Sequence, residues 1–110
     1  MRKLLPDCYW PDSANGEYVS HEAVCVLNTY EEDVVVKLTL YFEDRDKMGA
    51  YEVTVPAERT KHIRIDRLFA DVLPKGTPYA MVIECDRDVA VQYTRVDTTQ
   101  PELAIATTIV

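Results

Sequence analysis

Arg59, Lys61, His62, Arg64 and Arg67 fall within nine residues of a chain whose formal charge is −7. Side chains of this kind bind carboxylates, phosphates or polyhydroxylated ligands, or they neutralise acids of their own fold. Two further polar groups stand elsewhere in the chain. Ser20-His21-Glu22 precedes an apolar run, and Gln92-Tyr93-Thr94-Arg95-Val96-Asp97 closes another. The second set mixes donors and acceptors of fixed geometry, and His21 has the chemistry of a base oriented by a carboxylate. Trp10, the sole tryptophan, is set in a Tyr-Trp-Pro loop where a ring can stack on the apolar face of a ligand. An apolar wall with a few oriented polar groups is the composition of a small-molecule pocket.

The elements that must position these residues read as β-strands. In DVVVKLTLYFED, Val34, Val36, Leu38, Leu40 and Phe42 share one parity, and Val35, Lys37, Thr39 and Tyr41 share the other. A side-chain period of two sends the first set to a core and the second outward. Similar runs cover 22–28, 50–55, 60–65, 79–85, 89–96 and 103–109. Asn15-Gly16 has hairpin chemistry, Asp44 to Gly49 and Asp86-Arg87-Asp88 are polar connections, and Asp66 is placed to cap a short helical turn before Pro74 and Gly76. Seven or eight short strands predict an all-β, antiparallel β-sandwich forming a single domain over residues 1–110. On this frame Ile63 and Ile65 face inward and His62 and Arg64 outward, about 6.6–7 Å apart. Arg59 and Lys61 fall on the isoleucine side near the strand's start. His21 and Glu22 diverge, as do Gln92 and Arg95. HEAVCVLN and LAIATTIV are apolar on both faces, which predicts that a subunit interface, rather than loops, covers the outside.

Composition limits the remaining choices. One hundred and ten residues suit one domain, and 47% hydrophobic content closes a core. The negative surplus and the lack of a reading motif argue against nucleic acid. No nucleophile elbow and no phosphate loop occur among three glycines, so no enzyme activity and no cofactor is expected. His21 and His62 lack a third ligand at metal spacing. Cys8, Cys25 and Cys85 sit in contexts that suit burial as free thiols. No signal peptide and no apolar run of about 20 residues is present, and the cytoplasm is the expected compartment. For the basic strand, the bland alternative is a solvated face neutralised by Glu43, Glu52 or Glu84, with exposed pairs contributing about 0–1 kcal/mol.

Taken in order, SHEAVCVLN, VPAERTKHIR and VAVQYTRVD, with a tryptophan upstream, resemble the sensory rhodopsin transducer family. The resemblance runs from about Trp10 to the final strand, without a recognisable match in the first nine residues or between Asp66 and Tyr79. It implies a cytoplasmic all-β sandwich, a homotetramer, and a signalling role without catalysis. A small molecule, a sugar or related metabolite, is the implied ligand, and the basic strand adds an anionic one as a second choice. A protein adaptor docking a membrane photoreceptor or cytoplasmic regulator is the alternative. The family's polar signature maps to Trp10, Ser20, His21, Glu22, Asn28, Arg59, Thr60, His62, Arg64, Gln92, Thr94, Arg95 and Asp97. Of these, Trp10, His21, Glu22, Arg59, His62, Arg64, Gln92 and Arg95 are the expected ligand-binding set, with Glu22 or Asp97 balancing the basic strand. For all of them to meet, either a bulge must re-aim one strand or a second subunit must complete the site.

Overall fold

A computed structural model describes residues 1–110. Its elements are β1 (Arg2–Tyr9), β2 (His21–Asn28), β3 (Val34–Phe42), β4 (Met48–Val55), β5 (Arg59–Arg64), a one-turn α1 (Ile65–Leu68), β6 (Pro78–Glu84), β7 (Ala90–Asp97) and β8 (Ala104–Ile109). They form two four-stranded antiparallel sheets in the orders β1-β6-β3-β4 and β5-β2-β7-β8. The all-β sandwich expected from the alternation is the architecture observed. Most connections cross between the sheets, and only β3–β4 and β7–β8 are hairpins within one.

Alternation explains the core. Val34, Val36, Leu38 and Leu40 of β3 are buried, as are Val24 and Val26 of β2, Ile63 of β5 and Ile65 at the start of α1. Phe69, fully buried after α1, meets Tyr51 edge-on with ring centroids 4.6 Å apart. The parity rule fails at Thr39, which is buried on the outer face beside its register partner Val82.

Four local expectations are corrected. Residues 2–9, absent from the runs read as strands, form an edge strand, β1, whose Pro6 and Asp7 lie in a register shift between Leu5 and Cys8. Asn15-Gly16 makes no hairpin; Gly16 adopts a positive φ of 79° in the loop before β2, and Asn15 binds the carbonyls of Thr98 and Thr99. Asp66 caps nothing: Arg64 occupies the N-cap position of α1, and Asp66 lies in its first turn. Cys8 and Cys85 are buried, but Cys25 is half-exposed on the outer face of its sheet.

Asn28 clamps the far end of the sandwich. Its amide nitrogen donates to the carbonyls of Glu32, Val55 and Pro56, and its oxygen accepts from the Tyr30 backbone N–H. The end of β2 is thereby tied to the turns around β3 and β4. Asn28→Ala should cost about 2–3 kcal/mol, because several buried partners lose their bonds at once. Urea unfolding measures it, and a loss within about 0.5 kcal/mol would remove Asn28 from the framework.

Candidate functional site

The outer face of the β5-β2-β7-β8 sheet is built in registered rows. His62, Cys25, Gln92 and Ile109 form one, and Arg64, Ala23, Thr94 and Thr107 form the next. Thr60, Leu27 and Ala90 form a third. The first and third rows line a shallow, open hollow of about 240 Å³. Polar bonds run along the β7–β8 side. Gln92 Nε2 donates to Thr107 Oγ1 at 2.8 Å, and the Thr94 and Thr107 hydroxyls are 3.0 Å apart. His62 is exposed in this face, and its parity with Arg64 is as expected.

One cation of the basic strand is ion-paired locally. Arg64 forms a two-pronged bond with Asp66, both contacts 2.8 Å. Burial pushes the Asp66 carboxyl up, but the Arg64 fork and the nearby His21 outweigh it and hold Asp66 below its ordinary value. Lys61 donates to the Thr54 carbonyl and Arg59 to that of Glu58. Glu43, Glu52 and Glu84 do not serve as partners here; Glu52 faces Lys37 on the other sheet. Glu22 cannot balance this strand either, since it points into the core, and Asp97 instead accepts from Thr99.

Glu22 is 1% exposed and sits between the sheets. Its carboxylate accepts from the Tyr79 hydroxyl at 2.5 Å, from the Tyr9 backbone N–H at 2.8 Å, and from the Tyr93 hydroxyl. Arg95 Nε lies 4.0 Å away and donates to the Tyr93 hydroxyl, while its Nη2 reaches the carbonyl and side chain of Asp7. Burial and the adjacent Glu22 push both tyrosines far above their ordinary range, so both hydroxyls stay protonated and donate. Burial likewise raises the Glu22 carboxyl, against the pull of its three donors and Arg95. The hub joins β1 and β6 of one sheet to β2 and β7 of the other.

Within one chain, the eight expected site residues therefore do not share a hollow. His62, Gln92, Arg64 and His21 lie on the outer face, His21 with Nδ1 2.9 Å from the Val19 carbonyl. Glu22 is inside, and Arg95, with a quarter of its side chain exposed, reaches from beside it to Asp7 at the surface. Arg59 is at one end of β5. Trp10 is half-buried at a rim, with Lys75 Nζ 4.8 Å from its ring centroid, and lines a separate hollow with Asp66 and Lys75. The β2–β7 register is unbroken from His21 to Leu27, which excludes a bulge that would re-aim one set.

A family model described as Anabaena sensory rhodopsin transducer matches residues 1–110. The chain belongs to the sensory rhodopsin transducer family. The match includes the first nine residues and the 66–79 connection, where the motifs alone gave none. A crystal structure of Thermotoga maritima 1070 is similar at 32% identity, with a TM-score of 0.89, covering 98% of this chain and 90% of that one. The Anabaena sensory rhodopsin transducer is similar at 36% identity, with a TM-score of 0.74, covering 84% of this chain and 92% of that one. Among curated proteins, none matches.

For this transducer-family chain, sequence reasoning missed Asp7 and Tyr79 in the Glu22 hub, named Tyr93 only as a member of the 92–97 group, and missed Cys25 and Thr107 on the outer face. The signal for the last two was available: Cys25 has the parity of Ala23 and Leu27, and Thr107 lies in a run already read as two-sided. The other sheet's outer face differs in kind. Arg2, Glu84, Lys37 and Glu52 fall in one registered row of alternating charge. No helix in the chain is long and apolar enough to cross a membrane.

Proposed function

We propose that this chain is a non-catalytic signalling relay of the cytoplasm that works as a homo-oligomer, a tetramer, and passes a signal by docking a membrane photoreceptor. One observation carries the reading: the outer face of β5-β2-β7-β8 is uncharged and apolar from the end row of β2 across to the edge strand β8, with Leu27 47%, Ile105 61% and Ile109 75% exposed. Residues of this type suit burial against another protein surface. β8 extends the patch, since all six of its residues are exposed. The similarity to the Anabaena sensory rhodopsin transducer supports a photoreceptor as the partner. The test is co-sedimentation with membranes carrying a retinal photoreceptor and with matched membranes lacking one. Saturable retention on the former alone is expected, and equal retention on both overturns docking.

A second reading is a sensor of a sugar-like or anionic metabolite, favoured by the His62–Gln92–Thr94–Thr107 polar set. A second subunit closing over that set would supply the missing walls. Thermal-shift measurements with sugars, sugar acids and phosphates separate the two readings. A ligand at about 100 times its dissociation constant adds roughly 2.7 kcal/mol of stability. His62→Ala and Gln92→Ala should abolish that shift without lowering the unliganded Tm. A broad library with no shift, beside intact receptor docking, removes the sensor.

A further inference from the structure

The outer surface of the charged sheet holds a second feature, at the end away from its Arg2–Glu84–Lys37–Glu52 row. There Pro6, Asp7, Tyr41, Phe42, Glu43 and Pro78 enclose an open cleft of about 300 Å³. Its walls are aromatic and proline surfaces, and its lining charges are two carboxylates. Glu43 makes no ion pair, and the Asp7 side chain is 86% exposed despite its contact with Arg95. In the row at the other end, by contrast, each carboxylate stands beside a cation of its own fold.

The cleft's rings already attract cations. The Arg45 guanidinium lies 5.4 Å from the Phe42 ring centroid, and Lys47 Nζ lies 5.8 Å from that of Tyr41. Arg45 is itself held by Asp44, with bonds of 3.0 and 3.1 Å. Aromatic faces attract such groups through the ring quadrupole, and a guanidinium combines stacking with two-pronged carboxylate bonding. Beside the cleft, Leu4, 59% exposed, opens an apolar groove that shares Pro6, Tyr41 and Ala80 with it.

We propose that this cleft takes an arginine side chain from an extended segment of a partner protein, with the neighbouring groove holding an apolar residue of the same segment. The proposal rests on the relay reading and names the partner's chemistry: basic and apolar residues alternating on a chain attracted to a −7 protein. It also places the contact beside a transmission element. Tyr79 forms part of the cleft and donates its hydroxyl to Glu22, and Asp7 accepts from Arg95. An arginine drawn to Asp7 competes with Arg95 and so perturbs a hub that spans both sheets.

The probe is a blocked Leu-Ser-Arg-Ser-Leu peptide, with Leu-Ser-Glu-Ser-Leu as control, titrated into isotopically labelled protein and followed by amide NMR shifts. Saturable shifts are expected at Asp7, Phe42, Glu43 and Tyr79 with the arginine peptide alone, weakening as salt shortens the screening length. Glu43→Gln should weaken binding about 3- to 10-fold, and Arg45→Ala, which frees the Phe42 face, should tighten it about 2- to 3-fold. Equal shifts with the glutamate peptide, shifts spread over the acidic surface, or an unaltered Glu43→Gln variant would overturn the cleft. Glu43 holds no bond in the fold, so its variant separates binding from stability. Failure of the peptide beside intact photoreceptor co-sedimentation removes the cleft and leaves the relay. Peptide binding without co-sedimentation removes the relay and leaves a site for basic segments.

Discussion

Glu22→Ala is expected to destabilise the fold by about 3–5 kcal/mol, a large share of a small domain's stability. The substitution leaves three buried or half-buried donors, the Tyr79 and Tyr93 hydroxyls and the Tyr9 N–H, without their acceptor, and Arg95 without its internal counter-charge. Each orphaned donor costs about 1–3 kcal/mol, less whatever water recovers. Glu22→Gln keeps the volume but turns an NH₂ toward either the Tyr79 hydroxyl or the Tyr93 hydroxyl and Tyr9 N–H, so about 1–3 kcal/mol should be lost. The two variants also separate in pH dependence. Burial raises the folded carboxyl above its ordinary value of 4.5. Between the unfolded and folded values the native state binds more protons, so its stability contribution is full below about 4.5 and is lost as pH rises through the folded value. Glu22→Gln removes that decline. Urea unfolding from acidic to mildly alkaline pH should show wild type losing its advantage over the glutamine variant as pH rises. A gap that widens with pH would mean that the donors overcome desolvation and that Glu22 folds as the favoured anion.

The same hub shows what was legible in the sequence. Opposite parity of His21 and Glu22, and of Gln92 and Arg95, follows from a period of two, and both separations hold. The destination of Glu22 does not follow, because its partners come from β1, β6 and β7, and no local spacing brings Tyr79 to Glu22. β1 was invisible for a related reason. RKLLPDCY has no sustained alternation, and its Pro6 interrupts the ladder, as suits an edge strand. The basic stretch was legible as a strand but not as a set of charges. Arg64 finds Asp66 two residues away, and Lys61 donates to the Thr54 carbonyl of β4, but Arg64 alone of the stretch is ion-paired. Arg95, expected to meet ligand, is committed to Glu22, Tyr93 and Asp7. Its replacement should therefore report on stability before it reports on signalling.

The two-sided character of HEAVCVLN and LAIATTIV leads to the second large effect, a separation of the sheets by what a charge does on each. Leu27 stands between Thr60 and Ala90 in the end row of the uncharged part of β5-β2-β7-β8, and Val35 occupies the outer face of the charged sheet, 37% exposed beside Lys37 and Glu52. Two chains of charge −7 repel through most of their surfaces. A contact through the uncharged face would meet the least repulsion and would bury the exposed Leu27, Ile105 and Ile109. In a two-fold contact each substitution occurs twice, so Leu27→Asp brings two desolvated carboxylates together. Such a juxtaposition costs several kcal/mol. At 1.4 kcal/mol per factor of ten, a loss of about 2–5 kcal/mol raises the dissociation constant about 30-fold to several thousand-fold. Sedimentation equilibrium should show Leu27→Asp as a folded species of lower mass, with Val35→Asp assembled as wild type. If Val35→Asp dissociates and Leu27→Asp does not, the contact lies on the charged sheet. A wild type that is monomeric at every concentration would leave the exposed face of Leu27, Ile105 and Ile109 to the receptor alone.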